Sequence, residues 1–336
     1  MVRIGFAQGY SPKLNVKDMA EWVRKADERG YELGFFSETI EVMRDSVSAM
    51  AAFALATKKI KIGCTQIVRL RTPVIQGQTI ATLDELSEGR LILAPGACTR
   101  THAVWNSLEP QDPVVSLKEY ITALRKIVSG EKQIMWKGET IQLDRVELAW
   151  KPYRPSIPMW IAATSKTGLQ IAGEIGDGVM LNAITSPEYI QNAIRICKES
   201  CEKAGRDWSK FEVACLIVSS VEDSHDKALE EIRWEVASKF DRIQIDFNAG
   251  QRLRVGDPHL KKEDFPKFRE AEERGGKKLL AKTIPVSYIE NLTASGTPQE
   301  VMARVEQYKK AGVQLPVVRP AQPHQAQRLL DMFAPK

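Results

Sequence analysis

The chain has 336 residues, 43% of them hydrophobic, enough to bury a large core either as one big α/β barrel or as two modest domains. Its net charge is +5, but the 48 basic and 43 acidic residues are interspersed, which suits an anionic small-molecule ligand and lacks the basic face of a nucleic-acid binder. Five cysteines without CxxC spacing and four scattered histidines argue against a disulfide framework and against a metal site. The opening MVRIGFAQGY runs straight into a strand and no apolar run approaches membrane-spanning length, so the expected location is the cytoplasm and no membrane partner is expected.

In chain order, Ile4 to Ala7 reads as a strand, followed by a helix that Asn15 caps, that carries Met19, Trp22, Val23 and Ala26 on one stripe, and that Gly30 ends. Strand Leu33 to Ser37 precedes helix Ser46 to Thr57, strand Ile60 to Val68 precedes helix Pro73 to Leu86, and strand Leu91 to Ala94 precedes helix Leu117 to Val128. Gln133 to Leu148 then reads as a hairpin with a tight turn at Lys137-Gly138. The alternation resumes with strand Met159 to Ala163 and a helix carrying Leu169, Ile171, Ala172 and Ile175. Strand Val179 to Asn182 leads to helix Ile190 to Ala204 with Pro187 ahead of it, and strand Val213 to Ser219 leads to helix Lys227 to Phe240. A long, charged, irregular stretch from about Asp246 to Ser295 follows, then a helix from Pro298 to Ala311 with Thr297 and Glu300 as a capping box, and a last strand, Val313 to Val318. The series predicts an α/β fold, a (β/α)8 TIM barrel spanning residues 1–336 as a single domain, with a hairpin insertion near 132–148 and a charged insertion near 246–295.

In such a barrel the groups at the C-terminal ends of the strands face the active site. Glu38 follows strand two, Cys64 and Thr65 lie in strand three, Gly96, Ala97, Cys98 and His102 follow strand four, and Asn182 ends strand six. After strand five, Ala163, Thr164, Ser165, Lys166, Thr167 and Gly168 form a turn at a helix start, where free N–H groups, small hydroxyls and one ammonium suit a phosphate. Each has a plainer reading: a Ser/Thr helix cap, Glu38 paired with Arg71 or Arg90, Cys64 and Cys98 as small apolar fillers, His102 as a solvated loop residue. No GxSxG elbow, P-loop, HExxH or strand-borne GxGxxG occurs, which removes the common hydrolase, ATPase, zinc-protease and Rossmann readings.

Several phrases together carry a resemblance: AEWVRKADERGYELGFFSE at 20–38, IKIGCTQIVRLRTP at 60–73, LDELSEGRLIL at 83–93, IPMWIAATSKTGLQIAGEIGDGVMLN at 157–182 and SGTPQEV at 295–301. The chain resembles the bacterial-luciferase-like superfamily of flavin and deazaflavin oxidoreductases, most of all methylenetetrahydromethanopterin reductases and their relatives. The resemblance implies a cofactor ring at the C-terminal end of the barrel, its phosphate against Ala163 to Gly168, a non-proline cis peptide near Cys64-Thr65, and a homodimer or larger homo-oligomer. It implies coenzyme F-420, an 8-hydroxy-5-deazaflavin, and hydride transfer to or from a small organic substrate, with Glu38 as proton-handling or orienting group and His102 and Cys98 as secondary catalytic candidates. The chain departs from those reductases in having Ala7 and Gln8 where they carry a glutamate and Cys98 where they carry an aspartate; many relatives have a histidine at the place of Thr39. An FMN-dependent monooxygenase acting with dioxygen is the alternative, and a noncatalytic flavin- or partner-binding barrel is a reading of another class.

Overall fold

Strands whose residues are apolar on both faces need cover on both, and a closed parallel barrel ringed by helices supplies it. A computed structural model of the protein describes residues 3–8, 11, 13–38, 43–246 and 248–335; Thr39 lies outside them. In chain order the strands are β1 (Gly5–Ala7), β2 (Leu33–Ser37), β3 (Lys61–Ile67), β4 (Leu91–Gly96), β5 (Ile134–Lys137), β6 (Gln142–Val146), β7 (Trp160–Ala163), β8 (Gly178–Leu181), β9 (Glu212–Val221), β10 (Ala294–Gly296) and β11 (Leu315–Pro320). Eight of them close a parallel ring, β1-β2-β3-β4-β7-β8-β9-β11 and back to β1. The expected (β/α)8 TIM barrel is therefore the fold. Alternation along each strand separates two cores: Phe35 and Leu33 join Ala94, Met180 and Leu216 inside the ring, whereas Phe36 packs outward beneath the helices.

Three local expectations need correction. The hairpin β5–β6 turns through residues 138–141, with Gly138 N donating to Ile141 O at 2.8 Å, and is not the two-residue turn read from Lys137-Gly138. The Glu119 carboxylate sets this loop by accepting from Thr140 N at 2.7 Å and Ile141 N at 3.0 Å, a constraint supplied by a distant helix. The stretch 246–295 is mostly helical, with helices Ala249–Val255, Phe265–Thr283 and Val286–Leu292. Phe240, Phe268 and Tyr288 lock edge to face there at 5.3–5.8 Å, while Gly275-Gly276 kink the middle helix and break up its apolar period. Finally, no cis peptide bond occurs among the described residues, so Cys64-Thr65 is trans, and β3 keeps unbroken register with both neighbours.

The DELSEGR phrase is structural. Asp84, 1% exposed, accepts from Arg154 Nε at 3.0 Å, and Arg154 Nη2 also donates to Leu91 O at 2.8 Å, which ties the end of helix Pro73–Leu86 to the start of β4. Arg90 donates to Thr57 Oγ1, Ile60 O and Ala54 O at 2.7–3.0 Å and fastens the neighbouring helix end. Gly89 is left-handed at φ 79°, and a Cβ there would meet the Tyr153 ring at 2.9 Å, so both conformation and space require glycine. Asp84→Ala removes one partner of a largely buried pair whose arginine keeps some solvent contact, and should lower the unfolding free energy by about 2 kcal/mol. Urea denaturation measures this; a loss under about 0.5 kcal/mol contradicts the role.

Candidate active site

At the C-terminal rim the strand ends leave a cavity of about 500 Å³. Its floor is apolar, formed by Phe35 of β2, Ala162 of β7, Met180 of β8 and Leu216 of β9. Such a floor fits one face of a planar ring, and polar groups around it fix orientation.

Glu38, directly after β2, lines this cavity and is held from several sides. Its Oε1 accepts from Arg71 Nη1 at 2.9 Å and from Ser46 Oγ at 2.7 Å, its Oε2 from Ile67 N at 3.2 Å, and its own N–H donates to Thr65 Oγ1 at 3.0 Å. Of the two expected arginine partners it is Arg71 that binds it; Arg90 serves the opposite end of the barrel. The Arg71 fork continues to Asp45 Oδ1 at 2.8 Å, and Ser46 Oγ accepts from Gln66 Nε2 at 3.0 Å. Strands β2 and β3 thus meet the helix Ser46–Ala56 in one connected polar wall.

The structure also brings Thr65, Gly96, Ala97, His102, Ala163, Thr164 and Asn182 to the cavity. His102 sits on a short helix, Arg100–Trp105, capped by Thr99, whose Oγ1 accepts from His102 N at 3.3 Å. Burial pushes its imidazole below the ordinary value, so it is neutral at neutral pH. Asn182 begins a loop in which Ile184 adopts φ 62°, a strained state for a β-branched residue. That loop is clamped, with Thr185 Oγ1 donating to Asn182 O at 3.1 Å and Tyr308 Oη to Thr185 O at 2.5 Å.

Cys64 and Cys98 are not brought to the cavity. Both are 1% exposed in the outer core, and burial raises both thiols. The pleat explains Cys64: Thr65 faces the mouth, so its neighbour must face the helices. Cys98 Sγ points at Thr99 O, 3.8 Å away, at the root of the short helix.

The strand-five turn divides its labour. Ala163 and Thr164 line the cavity, while Ser165 is the N-cap of helix Lys166–Ile175, its Oγ accepting from Gly168 N at 3.1 Å. The N–H groups of Lys166 and Thr167 stand at the first two helical positions, outside the helix's own ladder. A Cβ on Gly168 would lie 3.2 Å from Ala163 Cβ and 3.3 Å from Ser165 Oγ, so a side chain there would press on the turn. The donor set fits a phosphate. Tyr189 Oη fixes the turn from the next helix by donating to Thr164 O at 2.8 Å.

The remaining walls fall largely in the rim loop 99–114 and the long excursion, where the sequence marks the region but no individual residue. Trp105 ends, and Asn106 caps, a six-residue helix too short to show periodicity. Lys239, Gln244 and Asn248 close the cavity from the segment that leads into the charged excursion, and nothing in their spacing marks them. Away from the mouth, Glu222, Glu231 and His324 bring potential ligand atoms within 4.8 Å of one another, but Glu222 is already engaged by Lys227 Nζ at 2.7 Å and Gln325 Nε2 at 2.9 Å.

A parallel barrel with an apolar-floored mouth and a phosphate-type turn after its fifth ring strand is the architecture of a cofactor-binding TIM-barrel enzyme. The model of the luciferase-like monooxygenase family matches residues 2–315, and the chain belongs to that family, and so to the oxidoreductases. It is 27% identical over 315 residues to the 5,10-methylenetetrahydromethanopterin reductase of Archaeoglobus fulgidus, covering 92% of this chain and 91% of that one. It is 23% identical over 349 residues to the F420-dependent glucose-6-phosphate dehydrogenase of Amycolatopsis mediterranei, covering 99% and 97%. The structure of the coenzyme F420-dependent tetrahydromethanopterin reductase from Methanopyrus kandleri superposes with a TM-score of 0.81 at 22% identity, covering 99% of this chain and 98% of that one. Among the described residues no helix is long and apolar enough to cross a membrane.

The depressed His102 gives a pH prediction. The unfolded chain takes up a proton that the folded state resists, so stability rises with pH between the lowered folded value and the ordinary imidazole value, and is lost as pH falls through that window. Wild type should lose more unfolding free energy than His102→Gln on going from neutral pH to about pH 5. Parallel losses contradict a buried neutral His102.

Proposed function

We propose that the protein is a deazaflavin-dependent oxidoreductase that uses coenzyme F-420 to move hydride to or from a small organic substrate held in the barrel mouth. When bound, the deazaflavin supplies a ring carbon that gives or accepts two electrons together with a hydrogen, and it reacts poorly with dioxygen. The observation that carries this reading is the condition of Glu38. It is the one carboxylate among the described residues lining the cavity, and Arg71, Ser46 and the Ile67 N–H already occupy it. A mouth so furnished is built to bind and orient more than to shuttle protons, which is what hydride transfer asks of a protein. The F420-dependent glucose-6-phosphate dehydrogenase among the relatives, of similar length, supports the same choice.

In this reading Phe35, Ala162, Met180 and Leu216 support the cofactor ring, and Gly96, Ala97, Thr65 and Asn182 border it. The backbone N–H groups of Lys166 and Thr167, with the side chains of Ser165, Lys166 and Thr167, take the phosphate. Glu38 orients the substrate or settles its proton, and His102, neutral, donates or accepts one hydrogen bond to it.

Two variants test these assignments. Thr167→Glu places a carboxylate at an exposed position in the helix's first turn, where it favours the helix but claims the anion site; coenzyme affinity should fall by about tenfold or more with the melting temperature kept. Unchanged affinity would remove the phosphate from this turn. Glu38→Gln should lower turnover by about tenfold or more while coenzyme affinity shifts little. Turnover equal to wild type rules out a part for Glu38 in the chemistry.

A further inference from the structure

A second cavity, about 760 Å³, runs between helix Lys166–Ile175 and helix Pro187–Lys203 and is closed at one end by Arg254 and Val255 of helix Ala249–Val255. Lys166, Gln170 and Glu174 face it at four-residue spacing, so the groove follows the first helix for about 12 Å. Its acids are already neutralised: Glu174 accepts from Lys118 Nζ at 2.6 and 2.8 Å, and Glu199 pairs with Arg195 at 2.9 Å. Lys166, Lys203 and Arg254 have no carboxylate partner among the described residues, and the groove is left with an excess of positive charge along its length.

The groove and the mouth are lined by neighbouring residues of the chain at two places. Ala163 and Thr164 line the mouth, and Lys166, two residues on, lines the groove. Asn248 lines the mouth, and Arg254, on the helix that Asn248 begins, lines the groove about 9 Å further along. Lys166 is thus the first cation beyond the turn on the side of the groove.

We infer that this groove binds the anionic chain that the deazaflavin coenzyme carries beyond its phosphate, a run of glutamyl carboxylates. Cations spread along the groove match carboxylates spread along a flexible chain, and each contact past the first is an intramolecular event that adds affinity without new contacts to the ring. FMN ends at its phosphate and makes no use of the groove. The inference rests on the deazaflavin reading and extends it from the ring to the tail.

The test is a fluorescence titration of wild type and of the Lys203→Glu/Arg254→Glu double variant, both changes being at exposed positions away from the mouth. Two probes are used, the intact coenzyme and the same coenzyme with its glutamyl chain removed and its phosphate kept. Wild type should bind the intact form about tenfold more tightly at low salt, with the margin shrinking as salt rises. The double variant should lose that margin and bind the truncated form as wild type does. Equal affinity of wild type for the two forms, or a margin that survives the double variant, overturns the groove and leaves the deazaflavin reading standing. Failure of wild type to bind either form overturns both.

Discussion

Closure of the ring governs everything above it. Because β8 pairs with β9 and β11 with β1, all eight ring strands end on one rim, and the helices that follow start there. Their N-termini and the residues of the strand-to-helix turns are thereby gathered around a single apolar floor. An open sheet of the same strands would present the same residues along a line. The inner core, with Phe35, Met180 and Leu216 reaching the mouth, is both the packing that holds the barrel shut and the surface on which a ring would rest.

The wall around that floor is preorganised to different degrees. On the β2–β3 side the Glu38, Arg71, Ser46 and Gln66 network fixes the polar groups before any ligand arrives. On the β7–β8 side, turns are fixed from behind by tyrosines, Tyr189 on Thr164 O and Tyr308 on Thr185 O, which frees the front of each turn for a ligand. The same side is tied to the excursion through Ser186 Oγ, which donates to Asp257 Oδ1 at 2.9 Å. A site whose polar wall is fixed beforehand spends little reorganisation on orienting a substrate.

The barrel was legible because its strands are short apolar runs bounded by turn residues, and β2 coincides with its expected span, Leu33 to Ser37. The rim was legible chiefly where strand position decides: Glu38, Thr65, Gly96, Ala97, Ala163, Thr164 and Asn182 reach the mouth, and His102 joins them from the short helix after β4. It failed at Cys64, where the phase of the pleat decides, and at Cys98, where the turn of the chain into a short helix decides. Lys239, Gln244 and Asn248 were out of reach because they enter the site through packing of the excursion on its own aromatic core around Phe240, Phe268 and Tyr288. The β10 strand was hidden for a related reason, since three residues pair with the end of β9 and carry no period. The phrases that made the resemblance recognisable, DELSEGR above all, turn out to brace the opposite end of the barrel through Asp84 and Arg90.

The central claim is that this mouth is shaped for a deazaflavin. Titrating the purified protein with coenzyme F-420 and, separately, with FMN, following cofactor fluorescence, tests it most directly. The account predicts that F-420 binds at least about tenfold more tightly than FMN. Tighter binding of FMN would contradict it and assign the barrel to oxygen-dependent flavin chemistry.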